Sequence, residues 1–178
     1  MSKSICVYLG ARSGKGSAWA EAATTAGNAI AEAGHTLVYG GGQLGLMGTI
    51  ADSALDAGGR VVGVIPKALV DLEQAHPRID EQHIVENMHE RKAKLTELSD
   101  AFLILPGGFG TLDELFEAIT WRQLNFHQKP IAIWNVNGYY DALWDFLQNG
   151  KAIGFMPEAT FESLYIDSDL DVLLGRLV

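Results

Sequence analysis

The stretch AFLILPGGFGTLDELFEAI, Ala101 to Ile119, runs from five consecutive apolar residues through a glycine-rich turn into an amphipathic segment. A short, unbroken apolar run closed by Pro-Gly is the pattern of a strand buried on both faces, as strands of parallel sheets are. The same pattern recurs at Ile5 to Leu9, Thr36 to Tyr39, Arg60 to Ile65 and Ile131 to Trp134. Between these runs lie segments long enough for helices: Ser17 to Ala33, Leu46 to Ala57, Val85 to Leu98, Leu112 to Phe126 and Tyr139 to Asn149. Ser17 and Thr111 are candidate N-caps, and Gly34 and Gly150 candidate stops. Strand and helix alternate throughout, which predicts a Rossmann-like, doubly wound α/β fold with a parallel sheet, in a single domain spanning residues 1–178. Ligands of such sheets sit beyond the carboxyl ends of the strands, where the glycine clusters fall. Pro66 to Asp80 reads as a loop near that site, Glu162 to Ile166 as a short strand, and the chain from Ser168 as a last helix.

Composition narrows the function. Thirteen Lys and Arg against 22 Asp and Glu leave a net charge of −9 in 178 residues. Without a basic cluster, the chain is not expected to grip polymeric nucleic acid, whose affinity comes from many phosphate contacts. No apolar run approaches the roughly 20 residues that span a bilayer, so no membrane partner is expected. The single cysteine, Cys6, excludes an internal disulfide. With no signal-peptide pattern at the start, the expectation is a cytoplasmic protein. Hydrophobic residues at 48% are too many for a low-complexity chain, so the 20 glycines must be local devices.

Several motifs reduce to plainer readings. GARSGKGS, Gly10 to Ser17, lacks the first glycine of a P-loop and the hydroxyl after Lys15, which leaves a glycine turn opening a helix. GGGQLGLMG, Gly40 to Gly48, is not in register for a dinucleotide fingerprint. It serves equally as a tight turn or as a close approach of backbone to a ligand. His89-Glu90 starts like a zinc helix, but Ala93 stands where the second histidine belongs, and no metal is expected. No GxSxG elbow is present, and Cys6 lies within a strand, as core.

PGGFGTLDE, Pro106 to Glu114, is different in kind. Its glycines let backbone N–H groups converge at a helix start, where the dipole favours a phosphate. The competing reading is a capping box, Thr111 to Glu114, in which Glu114 merely satisfies the N–H of Thr111; the local residues favour the cap. The helical wheel puts Leu112, Leu115, Phe116 and Ile119 on one face and Glu114, Glu117 and Trp121 on the other. Trp121, Leu124 and Phe126 suggest a second buried surface, and hence a homodimer. In MHERKAKL, Met88 to Leu95, Arg91 falls in the apolar stripe with Met88, Leu95 and Leu98, where an unpaired guanidinium is costly. It needs an anionic partner, either a ligand or a structural carboxylate.

Together Arg91 and PGGFGTLDE resemble the Lonely Guy family of cytokinin riboside 5′-monophosphate phosphoribohydrolases, once misnamed lysine decarboxylases. The signature PGGxGTxxE is met at every fixed position, a match with a chance occurrence on the order of one in a hundred thousand. The MHERK segment and the glycine turns after the first two strands are also similar. The resemblance implies that Arg91 and Glu114 are the catalytic pair and that Gly107, Gly108, Phe109, Gly110 and Thr111 hold the nucleotide phosphate. It further places Met88, Lys92, Thr120, Glu73, Gly42 and Ser13 around the nucleotide. Ala11-Arg12-Ser13 departs from the family's consecutive serines, which makes Arg12 a candidate contact in their place.

The implied reaction is hydrolysis of the N-glycosidic bond of a nucleoside 5′-monophosphate, a cytokinin riboside monophosphate or AMP, to free base and ribose 5-phosphate, with no cofactor. Glycosidic cleavage passes through an oxocarbenium-like state, which a carboxylate beside the ribose stabilises or hydrates. Arg91 would either assist the leaving base or hold Glu114 ionised. The alternative is a non-catalytic nucleotide-binding or carrier protein. A decarboxylase would need a pyridoxal phosphate lysine, and no lysine stands in such a context.

Overall fold

A computed structural model describes all of residues 1–178. Seven strands form one parallel sheet: β1 (Ser4–Tyr8), β2 (Thr36–Tyr39), β3 (Arg60–Pro66), β4 (Glu81–Val85), β5 (Ala101–Ile104), β6 (Ile131–Trp134) and β7 (Leu164–Asp167). Their order is β4-β3-β2-β1-β5-β6-β7, with every neighbouring pair parallel. The helices are α1 (Ala18–Glu32), α2 (Gly45–Asp56), α3 (Met88–Leu98), α4 (Phe109–Gln123), α5 (Asp141–Ala152), the single turn α6 (Glu158–Phe161) and α7 (Leu170–Leu177). β5 is the most apolar element, and its side chains are wholly excluded from solvent.

Side chains alternate between two cores. Ile5, Val7, Leu37, Leu103 and Trp134 pack on α1, α2 and α7, whereas Cys6, Tyr8, Val38, Phe102 and Ile133 pack on α3, α4 and α5. The chain builds outward from β1 to β4 and then crosses back to β5 on the other side. β1 and β5 therefore flank the point where strand order reverses, and their exits diverge to leave a crevice at the carboxyl edge. No helix is long and apolar enough to cross a membrane.

Five local expectations are corrected. Glu81–Val85, of which the sequence reading assigns only Val85, as the start of a helix, is the edge strand β4. Its polar sequence reflects pairing on one side only, with β3, so no continuous apolar run marks it. The helix that follows begins at Met88, three residues later than Val85, with Asn87 as its N-cap: the Asn87 side chain accepts from the Glu90 N–H at 2.9 Å, and the Glu90 carboxylate accepts from the Glu86 N–H at 2.9 Å. Gly150 does not stop α5, which runs on to Ala152, with Gly154 in the left-handed conformation beyond it. The late strand begins two residues later and ends one later than expected, at Leu164–Asp167. Phe116 is partly exposed rather than core, because the buried side of α4 is Thr111, Leu115 and Ala118.

Candidate active site

The crevice between the exits of β1 and β5 opens into a cavity of about 680 Å³. The β1–α1 loop from Gly10 to Gly14, Gly40 after β2, the Pro106–Thr111 turn after β5, and Arg91 and Glu114 from α3 and α4 all face it. The segment after β3 supplies Leu69 and Glu73.

α4 starts three residues earlier than the capping box required. Gly108 is its N-cap and offers no side chain; Thr111 lies inside the helix and is buried. The capping reading is therefore overturned, and Glu114 is released from that duty. The N–H groups of Gly108, Phe109, Gly110 and Thr111 have no acceptor within the protein. Four unpaired donors at the positive end of a 15-residue helix form a ready seat for an anion. Gly107 is required by close packing, since a side chain there would collide with the Thr111 hydroxyl and come within 2.8 Å of the Gly10 nitrogen.

Arg91 is buried, with its side chain 7% exposed. Its Nη2 donates to the Gly40 carbonyl at 3.0 Å and lies 3.5 Å from a Glu73 carboxylate oxygen, while Nε has no partner. A side chain at Gly40 would collide with this guanidinium, so the glycine turn exists partly to admit it. Glu73 reaches the site because its segment is stitched to the glycine turn. The Gln43 N–H donates to the Gln74 carbonyl at 2.7 Å and the His76 N–H to the Gly41 carbonyl at 3.0 Å. His76 is itself buried, 3.2 Å from an Asp52 carboxylate oxygen on α2.

Glu114 lies at the cavity wall, one turn into α4. Burial pushes its carboxyl from the ordinary 4.5 up to about 7; the Arg91 charge opposes this rise, and the Asp113 and Glu73 charges add to it. A carboxyl poised near neutrality beside a guanidinium with a spare donor suits proton transfer.

A family model described as "possible lysine decarboxylase" matches residues 47–175. The chain is 44% identical over 176 residues to the cytokinin riboside 5′-monophosphate phosphoribohydrolase of Rhodococcoides fascians, covering 98% of this chain and 89% of that one. It is 49% identical over 152 residues to the probable cytokinin riboside 5′-monophosphate phosphoribohydrolase LOGL1 of Oryza sativa subsp. japonica, covering 85% and 68%. The chain belongs to the Lonely Guy family. Its fold is also that of the molybdenum cofactor binding protein of Rippkaea orientalis, with a TM-score of 0.71 at 20% identity, over 98% of this chain and 94% of that one. The Moco carrier protein of Chlamydomonas reinhardtii is equally similar, with a TM-score of 0.71 at 20% identity, over 99% and 100%. At that identity the likeness is one of fold alone.

Of the residues that the resemblance to the Lonely Guy family nominates, Arg91, Glu114, Gly107 to Thr111, Met88, Glu73 and Ser13 line the cavity, as does Arg12. Lys92, Thr120 and Gly42 do not. Lys92 is buried between helices, its Nζ 2.7 Å from Glu117 and 3.1 Å from Asp113, and so ties α3 to α4. Thr120 is exposed on α4. Gly42 accepts a hydrogen bond from the Tyr39 hydroxyl at 3.1 Å and pairs with Ala75, supporting the Glu73 segment from behind. Sequence reasoning missed Tyr8, Trp19, Leu46, Met47, Leu69 and Tyr139, which complete the walls. Their apolar and aromatic character looks like core in the sequence, and only the crevice distinguishes them.

Proposed function

We propose that this chain hydrolyses the N-glycosidic bond of nucleoside 5′-monophosphates, with N6-modified adenine riboside monophosphates of the cytokinin type and AMP as substrates. The observation that carries the reading is one cavity holding both a turn with four unpaired N–H groups and, beside it, a carboxyl poised near neutrality with a buried guanidinium. The names of the relatives at 44% and 49% identity support the same reaction.

In this reading the 5′-phosphate sits on the N–H groups of Gly108 to Thr111, and its binding energy sets the ribose against Glu114. As the bond from C1′ to the base nitrogen lengthens, its electron pair leaves with the base and positive charge grows on the ribose. Ionised Glu114 stabilises that charge and then takes a proton from the water that adds to C1′. Glu114 passes that proton on to the departing base, which restores the carboxylate, and the Arg91 guanidinium meets the negative charge that develops on the base as the bond breaks. Products are the free base and ribose 5-phosphate.

All 178 residues act as one domain, in the cytoplasm and without a cofactor. A second copy of the chain covers the exposed Leu124 and Phe126, so that the working unit is a homodimer. Sedimentation of Phe126→Glu tests this, with a monomer as the expected result.

The deciding experiment incubates the protein and Glu114→Gln with AMP and isopentenyladenosine monophosphate, and measures free base by chromatography. Release by the parent and its loss in the folded variant support the hydrolase. Tight nucleotide binding with no base from either substrate would make the chain a binder instead.

A further inference from the structure

The turn that seats the phosphate in the reading above is itself held by two tyrosines that the mechanism does not use. Tyr139 and Tyr140 follow the short 3-10 turn Val136–Gly138 at the carboxyl end of β6. The Tyr139 hydroxyl donates to the Gly107 carbonyl at 2.6 Å, and the Tyr140 hydroxyl to the Leu105 carbonyl at 2.7 Å. Between them, the Pro106 carbonyl accepts from the Gly10 N–H at 3.2 Å. Three consecutive carbonyls are thus each taken by a donor from outside the turn.

Peptide planarity makes this consequential. The Gly107 carbonyl and the Gly108 N–H belong to one rigid plane and point in opposite directions. Holding the carbonyl fixes where the N–H points, and that N–H is the first of the four unpaired donors. The tyrosine turn is well placed to hold it, being ordered in its own right. The Asn135 side-chain oxygen accepts from the Tyr140 N–H at 2.8 Å, its amide donates to Asp141 at 2.6 Å, and Asn137 and Gly138 take left-handed conformations, with φ of 52° and 72°. The Tyr139 ring also faces the cavity and packs edge-on against Trp19 at 5.6 Å.

We propose that Tyr139 is a positioning residue for phosphate recognition: its hydroxyl holds the Gly107 carbonyl and so aims the Gly108 N–H at the phosphate, with Tyr140 anchoring the Leu105 carbonyl beneath. The proposal rests on reading this turn as the phosphate seat.

Tyr139→Phe keeps the ring against Trp19 and removes only the donor. Two measurements test it: calorimetric binding of ribose 5-phosphate, and kcat/KM for AMP against adenosine. Loss of one orienting hydrogen bond is expected to weaken ribose 5-phosphate about five- to tenfold, and to lower the preference for AMP over adenosine by a similar factor. The loss appears in KM rather than in kcat. Ribose 5-phosphate affinity within about twofold of the parent protein, or equal losses on AMP and adenosine, would overturn the proposal, as would a parent protein that does not bind ribose 5-phosphate at all. A parent protein that binds ribose 5-phosphate but releases no base defeats the hydrolase reading alone; a selective loss of that binding in Tyr139→Phe would still support the positioning role.

Discussion

Glu114→Gln should stabilise the protein above neutral pH, and the gain should grow with pH in a defined window. The Glu114 carboxyl binds its proton more tightly in the folded chain, at about 7, than its ordinary value of 4.5. A carboxyl raised in this way contributes stability that is fully present below about 4.5 and is lost as pH climbs through about 7. At 1.36 kcal/mol per pH unit, the gap is worth about 3 kcal/mol, of which about 2 kcal/mol falls between roughly pH 5.5 and 8.5. Glutamine cannot ionise, so the variant escapes that loss, and Arg91 keeps the Glu73 carboxylate 3.5 Å away as its counter-charge. Urea unfolding of both proteins across this window gives the difference directly, provided that the m-values agree. A difference that widens by about 2 kcal/mol toward alkaline pH supports the reasoning. One that stays flat within about 0.5 kcal/mol refutes the raised proton affinity and, with it, the argument for Glu114 as the proton-transferring group.

The pH profile of kcat should show the same group: with ionised Glu114 as the working form, activity rises with pH through about 7, whereas a limb near 4.5 would contradict the burial argument. Lys92→Met leaves the buried Lys92 position without its charge and the partly exposed Glu117 without its cation, and should cost about 1–3 kcal/mol in a urea melt. Because the Lys92 charge also lowers the proton affinity of Glu114, the same variant should move the acid limb to higher pH. Gly107→Ala drives a methyl into the Thr111 hydroxyl and should displace the turn, with a loss of about a hundredfold in kcat/KM for a nucleoside 5′-monophosphate, measured by base release.

The chain carries its fold class openly. Ala101 to Leu105, Ile5 to Leu9 and Ile131 to Trp134 are unbroken apolar runs because both faces of their strands are covered by helices, and that burial leaves a mark in any sequence. β4 left no such mark, since an edge strand with one neighbour carries polar residues such as Glu81 and Gln82. The motif residues of the site were equally legible: glycines at a strand exit, and an arginine in an apolar stripe that needed an anion.

What the sequence could not settle was which of two local structures Thr111 to Glu114 would form. A capping box and an open helix N-terminus draw on the same residues, and the choice was made by contacts from far along the chain: Gly10, Tyr139 and Tyr140 hold the carbonyls of Leu105 to Gly107, and the helix begins at Phe109. Glu114 is freed and buried as a result, and burial is a property of its surroundings that no local pattern encodes. Likewise Lys92, nominated for the nucleotide, is consumed by Asp113 and Glu117, whereas Glu73 is delivered by hydrogen bonds to the glycine turn after β2. Residue types and their spacing determined which chemistry was available to this protein. Long-range hydrogen bonding and desolvation, which exist only once the strands are assembled, decided which of those residues face one another across the cavity.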